Sequence, residues 1–153
     1  MPRILVVPVS KKSSRMLLAL LGSFLAAQAW AIDLITDAEA RLPSAYAEGK
    51  RAGLTRGPGI EVQSPSGAVD KGAMALKVGF KPRGGVAIDP KSVRVVYMKS
   101  PAVDLTERVR THVSESGIAI DGARVPAGEH QLKVDVADTE GRISSKLISF
   151  KAD

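Results

Sequence analysis

Met74-Ala75-Leu76-Lys77-Val78-Gly79-Phe80 carries a large apolar side chain at every second position, with small or charged residues between. Successive side chains of a strand point to opposite faces, so this spacing makes one face that leaves water and one that keeps it. A helix would scatter the same groups around its circumference. Leu132, Val134 and Val136 alternate with Lys133, Asp135 and Ala137 in the same way. So do Val93, Val95 and Tyr97 with Arg94, Val96 and Met98, and Ile60 and Val62 with Glu61 and Gln63. Ile118 and Ile120 form a shorter strand after Gly117. Over 142–151 the apolar residues shift from Ile143 and Leu147 to Ile148 and Phe150, a phase slip that predicts a β-bulge.

Turn residues separate these runs. Ser64-Pro65-Ser66-Gly67 follows the first, and Lys81-Pro82-Arg83-Gly84-Gly85 reads as a hairpin turn. Short strands divided by Gly, Pro and Asp predict an all-β fold, an antiparallel sandwich or barrel of about seven strands. One segment departs from period two. Asp104 to His112 has a capping residue in Asp104, Glu107 three positions on, and Leu105 and Val109 at helical spacing, so a short helix is expected between strands.

Upstream of the strands the chain changes character twice. Lys11, Lys12 and Arg15 precede an apolar run from Met16 to Ala27, and Ala29-Trp30-Ala31 closes it with a small-x-small site. That order predicts an N-terminal signal peptide over 1–31, cleaved after Ala31 with Ala29 and Ala31 as the small residues of the site, and an exported, periplasmic or secreted protein. The run falls short of the roughly twenty apolar residues that span a bilayer, so no stable membrane span is expected after cleavage; retention as an anchor is the alternative. Residues 32–58 then read as a lead-in arm. Thr36 and Glu39 form a capping box for a helix of about two turns, limited by Pro43. Beyond Pro43, glycines and the basic Lys50, Arg51 and Arg56 make a flexible connection to a single domain over 59–153.

Composition excludes several function classes. The chain has 153 residues, 22 basic and 16 acidic, for a net charge of +6. Arg3, Lys11, Lys12 and Arg15 would leave with the signal, so eighteen basic residues remain against 16 acidic and the charge falls to +2. Nucleic-acid binding needs a concentrated basic stripe, and this balance does not supply one. Without cysteine, neither a disulfide nor a thiolate metal site is available, and packing alone must hold the fold. Downstream of the signal the aromatics are Tyr46, Phe80, Tyr97 and Phe150, too few for a stacking platform.

Three segments resemble the immunoglobulin-like modules of exported bacterial proteins. Val86-Ala87-Ile88-Asp89-Pro90-Lys91-Ser92-Val93-Arg94-Val95 is similar to their entry into the third strand. Val125-Pro126-Ala127-Gly128-Glu129-His130-Gln131-Leu132-Lys133-Val134 is similar to the start of their penultimate strand, and Val136-Ala137-Asp138-Thr139-Glu140-Gly141-Arg142 to the hairpin joining the last two. The resemblance covers roughly 59–153 and implies a two-sheet sandwich. Gly128, His130 and Leu132 stand where such domains have Gly-x-Tyr-x-Cys, so the resemblance also implies that the buried disulfide and the tyrosine corner are both missing.

The candidate chemistry is sparse. His112 and His130 are the only histidines, no Gly-x-Ser-x-Gly elbow accompanies them, and His130 shares a strand face with Leu132 and Val134. A packed His130 bonded to backbone, and a His112 closing a helix, are the readings adopted. Met74 and Met98 are dispersed from both, and Asp135, Asp138 and Glu140 are assigned to a polar face and a turn rather than to calcium. The glycines of 81–85 lack phosphate-loop spacing, and no cofactor is expected. Lys99, Arg108 and Arg110, with Arg56 in the arm, form the one candidate patch for an anionic ligand. The function predicted is therefore non-enzymatic: an exported sandwich that binds or supports an envelope protein or an anionic envelope component. A small metal carrier or enzyme using His112 or His130 is the alternative.

Overall fold

A computed structural model describes residues 31–45 and 55–153. The leader, with Ala29, and the middle of the arm, with Lys50 and Arg51, lie outside the described residues. Among the described residues, nine strands form two sheets: β1 (Gly59–Ser64), β2 (Gly67–Val69), β3 (Met74–Lys81), β4 (Ile88–Tyr97), β5 (Val103–Asp104), β6 (Val113–Ser114), β7 (Gly117–Ala123), β8 (Gly128–Asp138) and β9 (Ile143–Ala152). Their order is β1-β3-β7-β6 in one sheet and β2-β9-β8-β4-β5 in the other. The order β1-β3-β7-β6 against β9-β8-β4 matches strand for strand the two sheets of immunoglobulin-type sandwiches. The three strands beyond those legible in the sequence, β2, β5 and β6, are two or three residues long and carry no alternation to read.

The predicted alternation becomes the interface between the sheets. Met74, Leu76, Val78 and Phe80 of β3 are buried together with Val93, Val95 and Tyr97 of β4 and Leu132, Val134 and Val136 of β8. β9 departs from the expectation. It pairs with β8 without interruption from Gly128↔Ala152 to Ala137↔Ile143, so there is no bulge. Its inner face runs through Ser144, Ile148, Phe150 and Ala152, while Leu147 and Ile143 face outward, the latter 63% exposed. The apparent slip is a strand with two apolar residues on its wet face. Register shifts occur instead at Val62/Ser64, Met74/Leu76 and Asp89/Arg94. The glycine turn after β3 is tight, with Val86 N donating to Arg83 O, but it joins strands of different sheets and is not a hairpin.

Two connections close the sides of the sandwich. Between β5 and β6 the chain passes from one sheet to the other through α2 (Thr106–Val109) and a single 3-10 turn (Arg110–His112). Leu105 and Val109 enter the core, as their helical spacing predicts. Asp104 sits one residue too early to be the N-cap, which is Leu105, yet its Oδ1 still accepts from Thr106 N at 2.9 Å. Glu107 pairs with Arg110 rather than closing a capping box.

The lead-in is the larger revision. Leu34 and Ile35 are buried members of the core, so 32–44 is a docked strap, and most of the flexible connection expected beyond Pro43 lies outside the described residues. Its first part runs parallel to the end of β7, with Arg124 N donating to Ile32 O at 2.8 Å and Leu34 N to Arg124 O at 3.1 Å. Its last part runs antiparallel beside the end of β4, with Ala45 N donating to Met98 O and Ser100 N to Pro43 O. The strap thus crosses from one sheet to the other. Between these contacts lies α1 (Asp37–Ala40), one turn long rather than two, with the predicted Thr36–Glu39 box in place. Near the end of the arm, the hydroxyls of Thr55 and Ser144 meet at 2.8 Å and Arg83 donates to Thr55 O. Among the described residues, no helix is long and apolar enough to cross a membrane.

Gly117 has φ +147, and a Cβ there would stand 2.0 Å from Val78 O, whereas Gly84 at φ +62 has nothing within 4 Å. Gly117→Ala is expected to lower the unfolding free energy by about 3 kcal/mol or more and Gly84→Ala by only about 1 kcal/mol. Equal shifts of the urea midpoint would refute the close packing of β3 on β7.

Candidate functional site

His130 lies on the inner face of β8, buried between Tyr97 and Phe150, whose ring centroids are 5.6 and 5.3 Å away. Its Nε2 is 2.8 Å from Pro126 O and its Nδ1 2.7 Å from the Tyr97 hydroxyl. A carbonyl can only accept, so Nε2 carries the proton and Nδ1 accepts from Tyr97. The corner that the resemblance implied was lost is therefore rebuilt with a different side chain. His130, two residues before Leu132, reaches back four residues to backbone, as the tyrosine of immunoglobulin domains does. Burial holds its ring neutral below the ordinary imidazole range, aided by the Lys99 charge and only partly opposed by the Pro126 bond. With both nitrogens engaged, His130 has no lone pair free for a metal. His112 closes the 3-10 turn, half-buried.

The four candidate basic residues do not form one patch. Lys99 is buried, and its Nζ donates to Ala40 O at 2.9 Å and to the Ser44 hydroxyl at 3.1 Å while standing 5.2 Å over the Tyr97 ring. Arg108 grips Glu39 with both ends of its guanidinium, at 2.8 and 2.6 Å, and donates a further bond to Leu34 O at 2.8 Å. These two cations hold the strap. The bidentate geometry pulls the Glu39 carboxyl down to about 2, with help from Thr36 and against partial burial, and raises Arg108 in return. Arg110 is exposed and pairs with Glu107, and Arg56 is exposed at the end of the arm. A basic residue beside a segment that the alternating core does not require resembles a ligand contact in sequence. The glutamate and carbonyls it meets are distant along the chain, so no local pattern announces the pairing. Glu39 was legible only as half of a capping box.

The remaining candidates resolve into structure. Asp138 is buried and accepts from Glu140 N, Arg142 N and Arg142 Nε, closing the β8–β9 hairpin. Asp135 faces outward, paired with Lys133. Met74 fills core space in β3, and Met98 follows β4, half-buried. Among the described residues, no three His, Asp or Glu side chains gather into a group that could hold a metal ion. Open grooves remain among the described residues. One, of about 540 Å³, lies over β8 and β9 beside Gly67 and Ala68. Another, of about 620 Å³, lies between the strap and the loops carrying Lys71 and Arg124.

What does stand out is a composite ridge along one side of the sandwich. The strap contributes α1 and the β5–β6 connection contributes α2, and Arg108 and Glu39 clamp the two together. No family model and no curated protein matches the chain. Among solved structures it is similar to CopC from Methylosinus trichosporium OB3b, with 14% identity and a TM-score of 0.43 over 63% of this chain and 93% of that one. It is also similar to an engineered protein, with 14% identity and a TM-score of 0.43 over 63% of this chain and 20% of that one.

Two titrations check this geometry. Glu39 has a depressed folded value, so its contribution is complete above the ordinary 4.5 and fades as pH falls toward 2. Glu39→Gln should cost about 1 kcal/mol at neutral pH, a deficit that shrinks across that window; a deficit independent of pH would remove the ion pair from the account. His130 is also depressed, so the unfolded chain takes a proton first and stability declines as pH drops below 6.5. Nitrogen NMR at neutral pH should find the ring proton on Nε2, and a proton on Nδ1 would contradict the corner.

Proposed function

We propose that the chain is an exported, non-enzymatic module of the immunoglobulin-like kind that binds or supports another component of the cell envelope, and that the ridge is its working surface. The reading of an exported protein is supported by the order of basic lead, apolar run and small-x-small site. The ridge is favoured by one observation above the rest. The strap and the β5–β6 connection are additions to the sandwich, yet three bonds from Arg108 hold them to each other and two from Lys99 hold the strap to the end of β4. Sandwiches add function in such connections while the sheets serve as scaffold. Preorganised surface binds with less ordering cost than a loose loop. Arg110, exposed on this ridge, and Arg56, exposed at the end of the arm, are among the exposed cations that an envelope protein's acidic surface or an anionic envelope component could meet.

A photo-crosslinking side chain at Thr111, exposed on the ridge, should give a discrete conjugate in intact envelope, while the same group at Ala119 on the outer face of β7 should not. Arg110→Glu should weaken the conjugate by about tenfold or less, the size expected of a rim charge. Equal labelling from both positions, or from neither, would sink the ridge as the binding surface.

A further inference from the structure

The expected processing bond, Ala31–Ile32, sits directly against the docked strap. Ile32 O accepts from Arg124 N at 2.8 Å, and Leu34 N donates to Arg124 O at 3.1 Å. Leu34, only three residues beyond Ala31, is fully buried, and Ile35 beside it nearly so. A processing peptidase takes its substrate as an extended segment with the backbone on both sides of the bond free to pair with the enzyme. On the downstream side that backbone is already paired with Arg124, and the side chains anchoring it belong to the core. Further along, Glu39 and Ala40 are fastened to Arg108 and Lys99. Freeing Ile32 to Leu34 therefore means lifting the strap as a unit, a local unfolding and not a side-chain adjustment.

We infer that the Ala31–Ile32 bond is a processing site open only while the strap is undocked, so that folding and cleavage compete for the same segment. This rests on the exported reading above. Hydrolysis adds one water across the bond, leaving a carboxylate on Ala31 and an ammonium on Ile32. A chain cleaved first docks its strap and is released; a chain that folds first keeps its leader as an anchor. One sequence thereby yields a free and a tethered form, in proportions set by the two rates.

The full-length precursor can be diluted from urea directly into purified signal peptidase in detergent micelles, or allowed to refold before the enzyme is added. Cleavage of the refolded precursor should be slower by about a hundredfold or more, the scale set by undocking two buried apolar side chains. Glu39→Gln, which loosens the clamp while keeping the side chain's size, should speed cleavage of the refolded precursor by about tenfold. Circular dichroism would establish that this variant retains its sheet, and amide exchange at Leu34 that its strap opens more often. Equal rates for refolded and freshly diluted chains would overturn the inference and leave the leader reading intact. So would an unchanged rate in Glu39→Gln alongside faster exchange at Leu34. Failure to cleave either preparation would overturn the leader reading, and the inference with it.

Discussion

Two sheets exclude water from the space between them with no covalent link across it, and every other feature of this molecule works within that constraint. Immunoglobulin-type domains commonly bridge their sheets with a disulfide. Here Leu132 stands where the second cysteine would be and is completely buried among aliphatic side chains of both sheets. Nonpolar burial is proportional to area and indifferent to direction, so it holds the sheets together without choosing how they lie. Direction has to come from elsewhere. The strap supplies part of it, because it pairs with the end of β7 in one sheet and the end of β4 in the other.

The polar groups inside the fold serve the same end. His130 joins β8 to the loop before it and, through Tyr97, to β4. Lys99, at the end of β4, is withdrawn from water with its ammonium divided between the strap and the Tyr97 ring. An unpaired buried ammonium would be costly, so the position of Ala40 and Ser44 over it is strongly specified. Arg108 does the equivalent from α2. Each of these side chains is a residue type associated with ligands or catalysis. Their donors are instead satisfied internally, which makes the ridge one arrangement of two segments and not two loops.

That rigidity bears on how the chain meets its surroundings. A surface built from docked connections keeps its shape without help from a partner, and its exposed cations are carried by the scaffold. The same docking pairs the strap's backbone with Arg124 and buries Leu34 and Ile35 in the core.

The alternation in 74–80 and 132–137 determined the strand class and which side chains face inward, because side-chain direction along a strand is a local property with a period of two. The capping box at Thr36, the inserted helix at Leu105 and Val109, and the hairpin at Asp138 were legible for the same reason: each is set within a few residues. Even β9 obeyed the period, and the predicted bulge came from taking Ile143 and Leu147 as core by their chemistry instead of by their parity. Tertiary structure alone decided the partners. Arg108 with Glu39, Lys99 with Ala40 and Leu34 with the core join positions about sixty or more residues apart, and nothing in the local pattern encodes such a distance. Period and sterics act along the chain, whereas pairing is chosen only when the folded sheets bring distant groups within reach of one another.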